Sequence, residues 1–175
     1  RGLHREEIMQ VISPFKLEFL NLSVENFKTK KRKIVKELER YPEAEKSNFF
    51  SNKGSCKVAE KLISIFDDEF KKIDNHFDRA VFVETAWSVT YKKGHFHVPH
   101  NHGSTGYAGI MYLDLLPVHP KTTYIQPWQS ENDKTILYTP QVNEGDIVIV
   151  PKFILHYSGT NILSTAKRII SFDFL

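Results

Sequence analysis

The chain has 175 residues, of which 41% are hydrophobic and 26% are charged. These values are typical of one globular domain and exclude a disordered or fibrous protein. The single cysteine, Cys56, excludes an intrachain disulfide and is typical of a reducing compartment, so we expect the protein to act in the cytoplasm. Residues 1–10 are charged, and no apolar segment reaches membrane-spanning length, so we expect neither a secretion signal nor contact with a membrane.

The net charge of +3 is concentrated in the N-terminal half of the chain. Residues 1–80 contain 17 Lys and Arg against 14 Asp and Glu, whereas residues 81–175 contain 7 of each. The densest basic run lies at 28–36 and is followed at once by Glu37 and Glu39. We interpret this run as the solvated face of a helix, and we do not expect nucleic acid as a partner.

Apolar residues recur at helical spacing in residues 1–79, which predicts a helical support region. Ser23 is a candidate N-cap for one helix, which would end before Pro42. Ser55 is a candidate N-cap for another helix, whose apolar stripe would continue to Ile73. The polar segment 47–55 between them predicts a loop.

The pattern becomes short and strand-like after residue 80. Segments rich in β-branched and aromatic residues alternate with Pro, Gly, Asn and Asp, and they lie at 80–91, 107–116, 135–138, 145–150 and 167–175. Many short strands without intervening helices favour a sandwich or barrel over a parallel sheet. We therefore predict a single mainly β domain over 1–175, in which N-terminal helices (1–79) buttress a double-stranded β-helix (80–175), a cupin-like jelly-roll barrel.

Six of the eight histidines lie between positions 95 and 156. Residues two apart on a strand point to the same side, so His100 and His102 could share one metal ion. His95 and His97 form a second pair with the same spacing, and the sequence alone does not decide between the two pairs. A third candidate ligand, His156, follows an apolar strand and a turn at Pro151.

Arg168 is the other informative residue of the C-terminal half. It shares one face of the last predicted strand with Ile170, Phe172 and Phe174, and we expect that apolar face to point inward. A buried guanidinium needs an anion. The anion is either a protein carboxylate, with Asp114 and Glu84 as candidates, or the carboxylate of a ligand.

Residues 80–175 resemble the 2-oxoglutarate- and Fe(II)-dependent oxygenases, and in particular their prolyl-hydroxylase-like branch. The resemblance rests on four stretches in order: residues 87–102, residues 110–113, residues 145–156 and residues 168–172. It implies that His100, His102 and His156 hold Fe(II) and form the catalytic centre. It also implies that Arg168 binds the far carboxylate of 2-oxoglutarate, assisted by Tyr112 and Tyr91.

The chemistry implied by this resemblance consumes 2-oxoglutarate and O2, releases succinate and CO2, and hydroxylates a substrate. The family usually has Asp or Glu where this chain has His102. An imidazole in place of a carboxylate leaves one more unit of positive charge on the metal complex. This departure bears on Fe(II) retention, on the choice of metal and on catalysis itself.

Two other interpretations fit the same sequence. A cupin-type protein would use three histidines without 2-oxoglutarate, although the Glu expected shortly after His102 is missing and the inward Arg168 favours the oxygenase. A non-catalytic β-sandwich module would use the His-rich surface to bind a partner. The sequence does not identify the primary substrate, which could be a peptide residue, a nucleobase or a small metabolite.

Overall fold

A computed structural model describes residues 17–128 and 132–175 of the chain. The expectation about residues 1–10 lies outside these residues. The described elements are, in chain order, β1 (Leu20–Ser23), α1 (Phe27–Leu38), β2 (Ala44–Glu45), β3 (Phe50–Ser51), α2 (Cys56–Ile65), α3 (Asp67–Phe77), β4 (Val83–Tyr91), β5 (His97–His100), β6 (Tyr107–Asp114), β7 (Thr122–Ile125), β8 (Leu137–Tyr138), β9 (Asp146–Pro151), β10 (His156–Ser158) and β11 (Lys167–Phe174).

The strands form two antiparallel sheets. A seven-stranded sheet, called here the large sheet, has the order β1-β9-β6-β11-β4-β3-β2, and a four-stranded small sheet has the order β5-β10-β7-β8. From β4 onward the chain passes repeatedly between the two sheets, so strands that are neighbours in sequence are mostly not neighbours in a sheet. This is the topology of a jelly roll, and it confirms the predicted fold class.

The large sheet is buried on both of its faces. One face, the helix-facing side, packs against residues of α1, α2 and α3 such as Ile34, Leu62 and Phe70. The opposite face, the site-facing side, packs against residues of the small sheet such as Tyr124. Each face is an apolar cluster, so the strands between them are hydrophobic on both sides.

The central strand β11 distributes its side chains between these two clusters. Ile170, Phe172 and Phe174 belong to the helix-facing cluster, whereas Ile169 belongs to the site-facing one. The strand pairs with β4 on one side and with β6 on the other, and these two ladders, each with one register shift, fix its position in the sheet. Its alternation therefore decides which residues can reach the site.

The helices differ from the sequence-based expectation in where they begin and end. Ser55 does cap α2, because its Oγ accepts a hydrogen bond of 3.1 Å from the Val58 backbone N–H. The predicted long stripe is divided, since the chain breaks at Phe66 between α2 and α3. Ser23 does not cap α1: it ends β1, and its Oγ donates to Asp146 at 2.6 Å.

The N-terminal region is more than a layer of helices. It contributes three strands to the large sheet, with β1 at one edge and the hairpin of β2 and β3 at the other. The segment 47–55, expected as a loop, contains β3, which pairs with β4. In the described parts of the chain, no helix has both the length and the apolar character needed to cross a membrane.

Gly109 tests the packing of the helix-facing side. A Cβ atom built there would lie 2.0 Å from the Phe172 ring, which is fully buried. We expect Gly109→Ala to lower the free energy of unfolding by about 1–3 kcal/mol or more, measured by urea denaturation, because the ring has nowhere to move. Gly159→Ala is the control, since its Cβ would make an ordinary 3.5 Å contact with Pro120. Equal free energies of unfolding for the two variants would contradict the close contact between Gly109 and the Phe172 ring.

Candidate metal centre

His100, His102 and His156 converge between the two sheets. One ring nitrogen from each lies within 4.8 Å of the other two, a separation that one metal ion can bridge. His100 ends β5, and β5 pairs with β10 in a register that sets His100 opposite His156. His102 follows two residues later, where its backbone N–H donates to the Lys152 carbonyl. These three residues are called below the three-histidine cluster.

The Nδ1 atom of each ring in the cluster is already engaged. His100 Nδ1 lies 2.9 Å from the Val98 carbonyl oxygen, and His156 Nδ1 lies 3.0 Å from the Ile154 carbonyl oxygen. Since a carbonyl only accepts, Nδ1 carries the proton in both rings and Nε2 keeps its lone pair. His102 Nδ1 lies 2.6 Å from a carboxylate oxygen of Asp173. All three rings therefore present Nε2 as the free ligand atom.

Burial keeps two of these rings uncharged. Burial, with a smaller contribution from the neighbouring histidines, lowers the pKa of His156 to about 3. Burial also lowers the pKa of His100, against the opposing effect of its hydrogen bond to Val98. Their lone pairs are thus available near pH 7, where a charged imidazolium could not bind a cation.

The donor set suits a transition metal. Three neutral imidazole nitrogens bind Fe(II), Ni(II), Zn(II) or Cu(II), and three protein ligands leave further coordination positions open. The cluster opens onto a cavity whose other walls are mainly aromatic, aliphatic and hydroxyl side chains, among them Trp87, Tyr91 and Ser158. The residues present fit a metal that also binds a small molecule.

The competing pair of histidines is separated by the fold. His97 lines the cavity, where its ring stacks on His100 at 3.9 Å and its Nδ1 lies 3.4 Å from the Tyr91 hydroxyl. It is not part of the three-histidine cluster. His95 lies away from the cavity lining, and its ring stacks on Phe50.

The expectation for Arg168 needs correction. Arg168 shares its face of β11 with Ile170 and Phe172, as predicted, but that face packs against the helices and not against the histidines. Its Nε donates to Asp114 at 2.8 Å, so the protein-carboxylate alternative is the one observed. Arg168 lines a separate surface pocket beside Glu43. The alternation along β11 is as predicted, but both of its faces are apolar, and the one that carries Arg168 is the helix-facing side.

Lys167, which the sequence reasoning missed, occupies the place expected for Arg168. Its side chain is fully buried on the site-facing side, where Nζ donates to Ser158 Oγ and to the Pro120 carbonyl. The ammonium also lies 4.2 Å from the centre of the Tyr91 ring. The sequence spacing could have indicated this position, because Lys167 shares one face of β11 with Ile169, Ser171 and Asp173, and Asp173 contacts His102.

Lys167 lacks a carboxylate partner within residues 17–128 and 132–175. Burial, together with the smaller effect of the nearby Lys121, lowers its pKa to about 7. An ammonium so deeply buried is costly without an anion. Ser158, its hydrogen-bond partner, lines the same cavity as the three-histidine cluster.

The two tyrosines expected at the site lie in the site-facing cluster. Tyr91 lines the cavity beside His97, between the ammonium of Lys167 and the histidines. Tyr112 is fully buried, and its hydroxyl accepts a 3.3 Å hydrogen bond from the backbone N–H of Thr122, a residue of the cavity wall. Burial raises the pKa of both hydroxyls, so both remain protonated donors.

Comparison with solved structures identifies the same fold in metal-dependent oxygenases. A 2OG-Fe(II) oxygenase family oxidoreductase from Burkholderia pseudomallei is 10% identical, with a TM-score of 0.69 over 89% of this chain and 83% of that one. HygX from Streptomyces hygroscopicus, crystallised with nickel and 2-oxoglutarate, is 11% identical, with a TM-score of 0.68 over 89% and 82%. A prolyl-4-hydroxylase from Pseudomonas putida is 10% identical, with a TM-score of 0.58 over 89% and 91%. No protein-family model and no curated protein matches the chain.

Metal titration tests whether His156, and not His95, belongs to the metal site. We expect the wild-type protein to bind one equivalent of Mn(II) or Co(II), measured by calorimetry or by elemental analysis after dialysis. His156→Ala removes a ligand, so it should weaken binding by more than the about 10- to 100-fold typical of losing a supporting hydrogen bond. His95→Ala is the matched control and should bind like the wild type. Loss of the metal in His95→Ala but not in His156→Ala would contradict the assignment.

Proposed function

We propose that the protein is a 2-oxoglutarate-dependent oxygenase that uses Fe(II) held by His100, His102 and His156. In this proposal Lys167 binds the far carboxylate of 2-oxoglutarate in place of Arg168. The reaction consumes O2, releases succinate and CO2, and hydroxylates a substrate.

One arrangement supports the proposal most strongly: the three-histidine cluster lines a cavity, and the buried Lys167 donates a hydrogen bond to Ser158 in the wall of the same cavity. 2-Oxoglutarate carries a keto acid at one end, which can chelate a metal, and a second carboxylate at the other end. The three-histidine cluster suits the first end, and the Lys167 ammonium, which contacts only neutral acceptors among the described residues, suits the second. A cupin-type site that does not bind 2-oxoglutarate would have no anionic ligand to stabilise this buried ammonium.

The protein's own residues have distinct tasks in this reaction. When bound, Fe(II) supplies the redox chemistry that activates O2. Lys167 fixes the orientation of the cosubstrate through its far carboxylate, with the Ser158 hydroxyl beside it. Tyr91 supplies an aromatic wall near that end of the cavity, and the buried Tyr112 supports the wall from behind through its hydrogen bond with Thr122. Trp87, whose ring lies 5.4 Å from that of His102, helps to exclude water from the metal side.

Lys167 and Arg168 form a matched pair for testing the cosubstrate site, because they are adjacent basic residues on opposite faces of β11. Lys167→Met should weaken 2-oxoglutarate binding to the Mn(II)-loaded protein by about 30-fold or more, since truncating one partner of a buried ion pair costs about 2 kcal/mol or more. Arg168→Met should bind 2-oxoglutarate like the wild type. Anaerobic calorimetry measures both affinities, and metal affinity serves as the folding control.

The opposite result has a clear meaning. If Arg168→Met loses 2-oxoglutarate while Lys167→Met keeps it, the cosubstrate lies on the other side of the sheet and the site is misassigned. If the metal-loaded wild type binds no 2-oxoglutarate, the cupin-type alternative is favoured. A protein that takes up no metal would favour the non-catalytic module.

Proton uptake gives an independent test of Lys167. With a pKa of about 7, the free ammonium is mostly deprotonated at pH 8. A bound carboxylate favours the charged form, so binding at pH 8 should take up a proton, and affinity should fall by up to about tenfold per pH unit above 7. At pH 6 the lysine is already charged and uptake should vanish.

Calorimetry in buffers of different ionisation enthalpy counts the protons. Lys167→Arg, which stays charged at every accessible pH, is the control and should show no uptake at pH 8. Equal uptake in the wild type and in Lys167→Arg would show that another group titrates and would contradict the role of Lys167.

A further inference from the structure

Asp173 makes a close contact with one ring of the three-histidine cluster. Its Oδ1 lies 2.6 Å from His102 Nδ1, and both side chains are largely buried, with 15% and 6% of their surfaces exposed. Asp173 lies near the end of β11, on the site-facing side, where its backbone is held between Thr85 of β4 and Ala108 of β6. The carboxylate is therefore placed by the sheet and not by a flexible loop.

The three rings of the cluster are not held alike. His100 and His156 each contact a neutral backbone carbonyl, whereas His102 contacts an anion. A hydrogen bond to a carboxylate fixes the tautomer and ring orientation more strongly than one to a carbonyl, and it makes the opposite nitrogen a better donor to a metal. His102 is thus the electron-rich ligand of the three.

Position 102 is also where the sequence departs from the resemblance, by having His where a carboxylate is usual. Two histidines and a carboxylate reduce the charge of a bound divalent cation by one unit, whereas three neutral histidines leave it unchanged. Asp173 returns one negative charge at a distance of one imidazole ring. The carboxylate therefore lies behind the ligand, on Asp173, and not at the ligand position itself.

We propose that Asp173 is a positioning residue that replaces the missing ligand carboxylate by acting through His102. This inference rests on the metal centre of the proposed function. The hydrogen bond from His102 Nδ1 aims Nε2 at the metal, and the buried charge strengthens the ligand and offsets the cation. The His102–Asp173 pair then supplies both the ligand atom and the negative charge that one acidic side chain supplies in a site of two histidines and a carboxylate.

The test is a double-mutant cycle on Co(II) affinity, measured anaerobically by calorimetry. Asp173→Asn keeps the size of the side chain and an accepting oxygen but removes the charge. With His102 present, it should weaken Co(II) binding about 10- to 100-fold and shift the ligand-field absorption bands of the bound ion. In the His102→Asp background the ligand carries the charge itself, so Asp173→Asn should leave Co(II) affinity unchanged.

Asp114→Asn is the matched control. It makes the same substitution beside the same strand but breaks the contact with Arg168 on the helix-facing side. We expect it to lower the melting temperature without changing Co(II) affinity or the absorption bands. A loss of Co(II) affinity in Asp114→Asn equal to that in Asp173→Asn would attribute the effect to general destabilisation and would overturn the inference.

The remaining outcomes are equally decisive. If Asp173→Asn weakens Co(II) binding equally with His102 and with Asp at that position, its role is purely structural and the inference fails. It also fails if Asp173→Asn changes nothing. In both cases the proposed function stands, because wild-type binding of Co(II) and 2-oxoglutarate is measured separately. A wild type without a saturable Co(II) site would overturn the proposed function and this inference together.

Discussion

The two faces of β11 determine what this protein can do. The strand lies between β4 and β6 in the large sheet, with helices packed on one face and the small sheet opposite the other. Because side chains alternate along a strand, each residue of β11 belongs to one of two separate environments, one on each face of the sheet. Lys167 and Asp173 face the site, whereas Arg168 faces the helices. A shift of one residue in register would exchange them all.

The fold holds the charged side chains of the site, Lys167 and Asp173, at separate fixed positions. The rings of the three-histidine cluster lie at one position, the ammonium of Lys167 lies at another, and Asp173 contacts the Nδ1 side of His102. Lys167 and Asp173 are both largely buried, so a charge on either side chain is costly unless a specific partner contacts it. For Asp173 that partner is a histidine. For Lys167 the protein offers only neutral acceptors among the described residues, which leaves room for an anionic ligand.

The small sheet contributes two residues of the three-histidine cluster, His100 and His156. The antiparallel pairing of β10 with β5 sets His156 opposite His100, although 55 intervening residues separate them in the sequence. Ser158, two residues further along β10, contacts Lys167. A single short strand thus carries both a residue of the three-histidine cluster and the hydrogen-bond partner of the buried lysine, so these two groups keep a fixed separation.

The sequence by itself determined the mainly β fold, the Ser55 helix cap and the likeness to an oxygenase, because these depend on local periodicity and motif spacing. It also indicated which histidines could meet, but not whether His95 and His97 or His100 and His102 would join His156. Only the tertiary structure decided that, and it decided between Lys167 and Arg168 as well. The reason is physical: a strand apolar on both faces has no inward side until other layers pack against it. The contact between Asp173 and His102 joins residues 71 positions apart, and no local pattern encodes it.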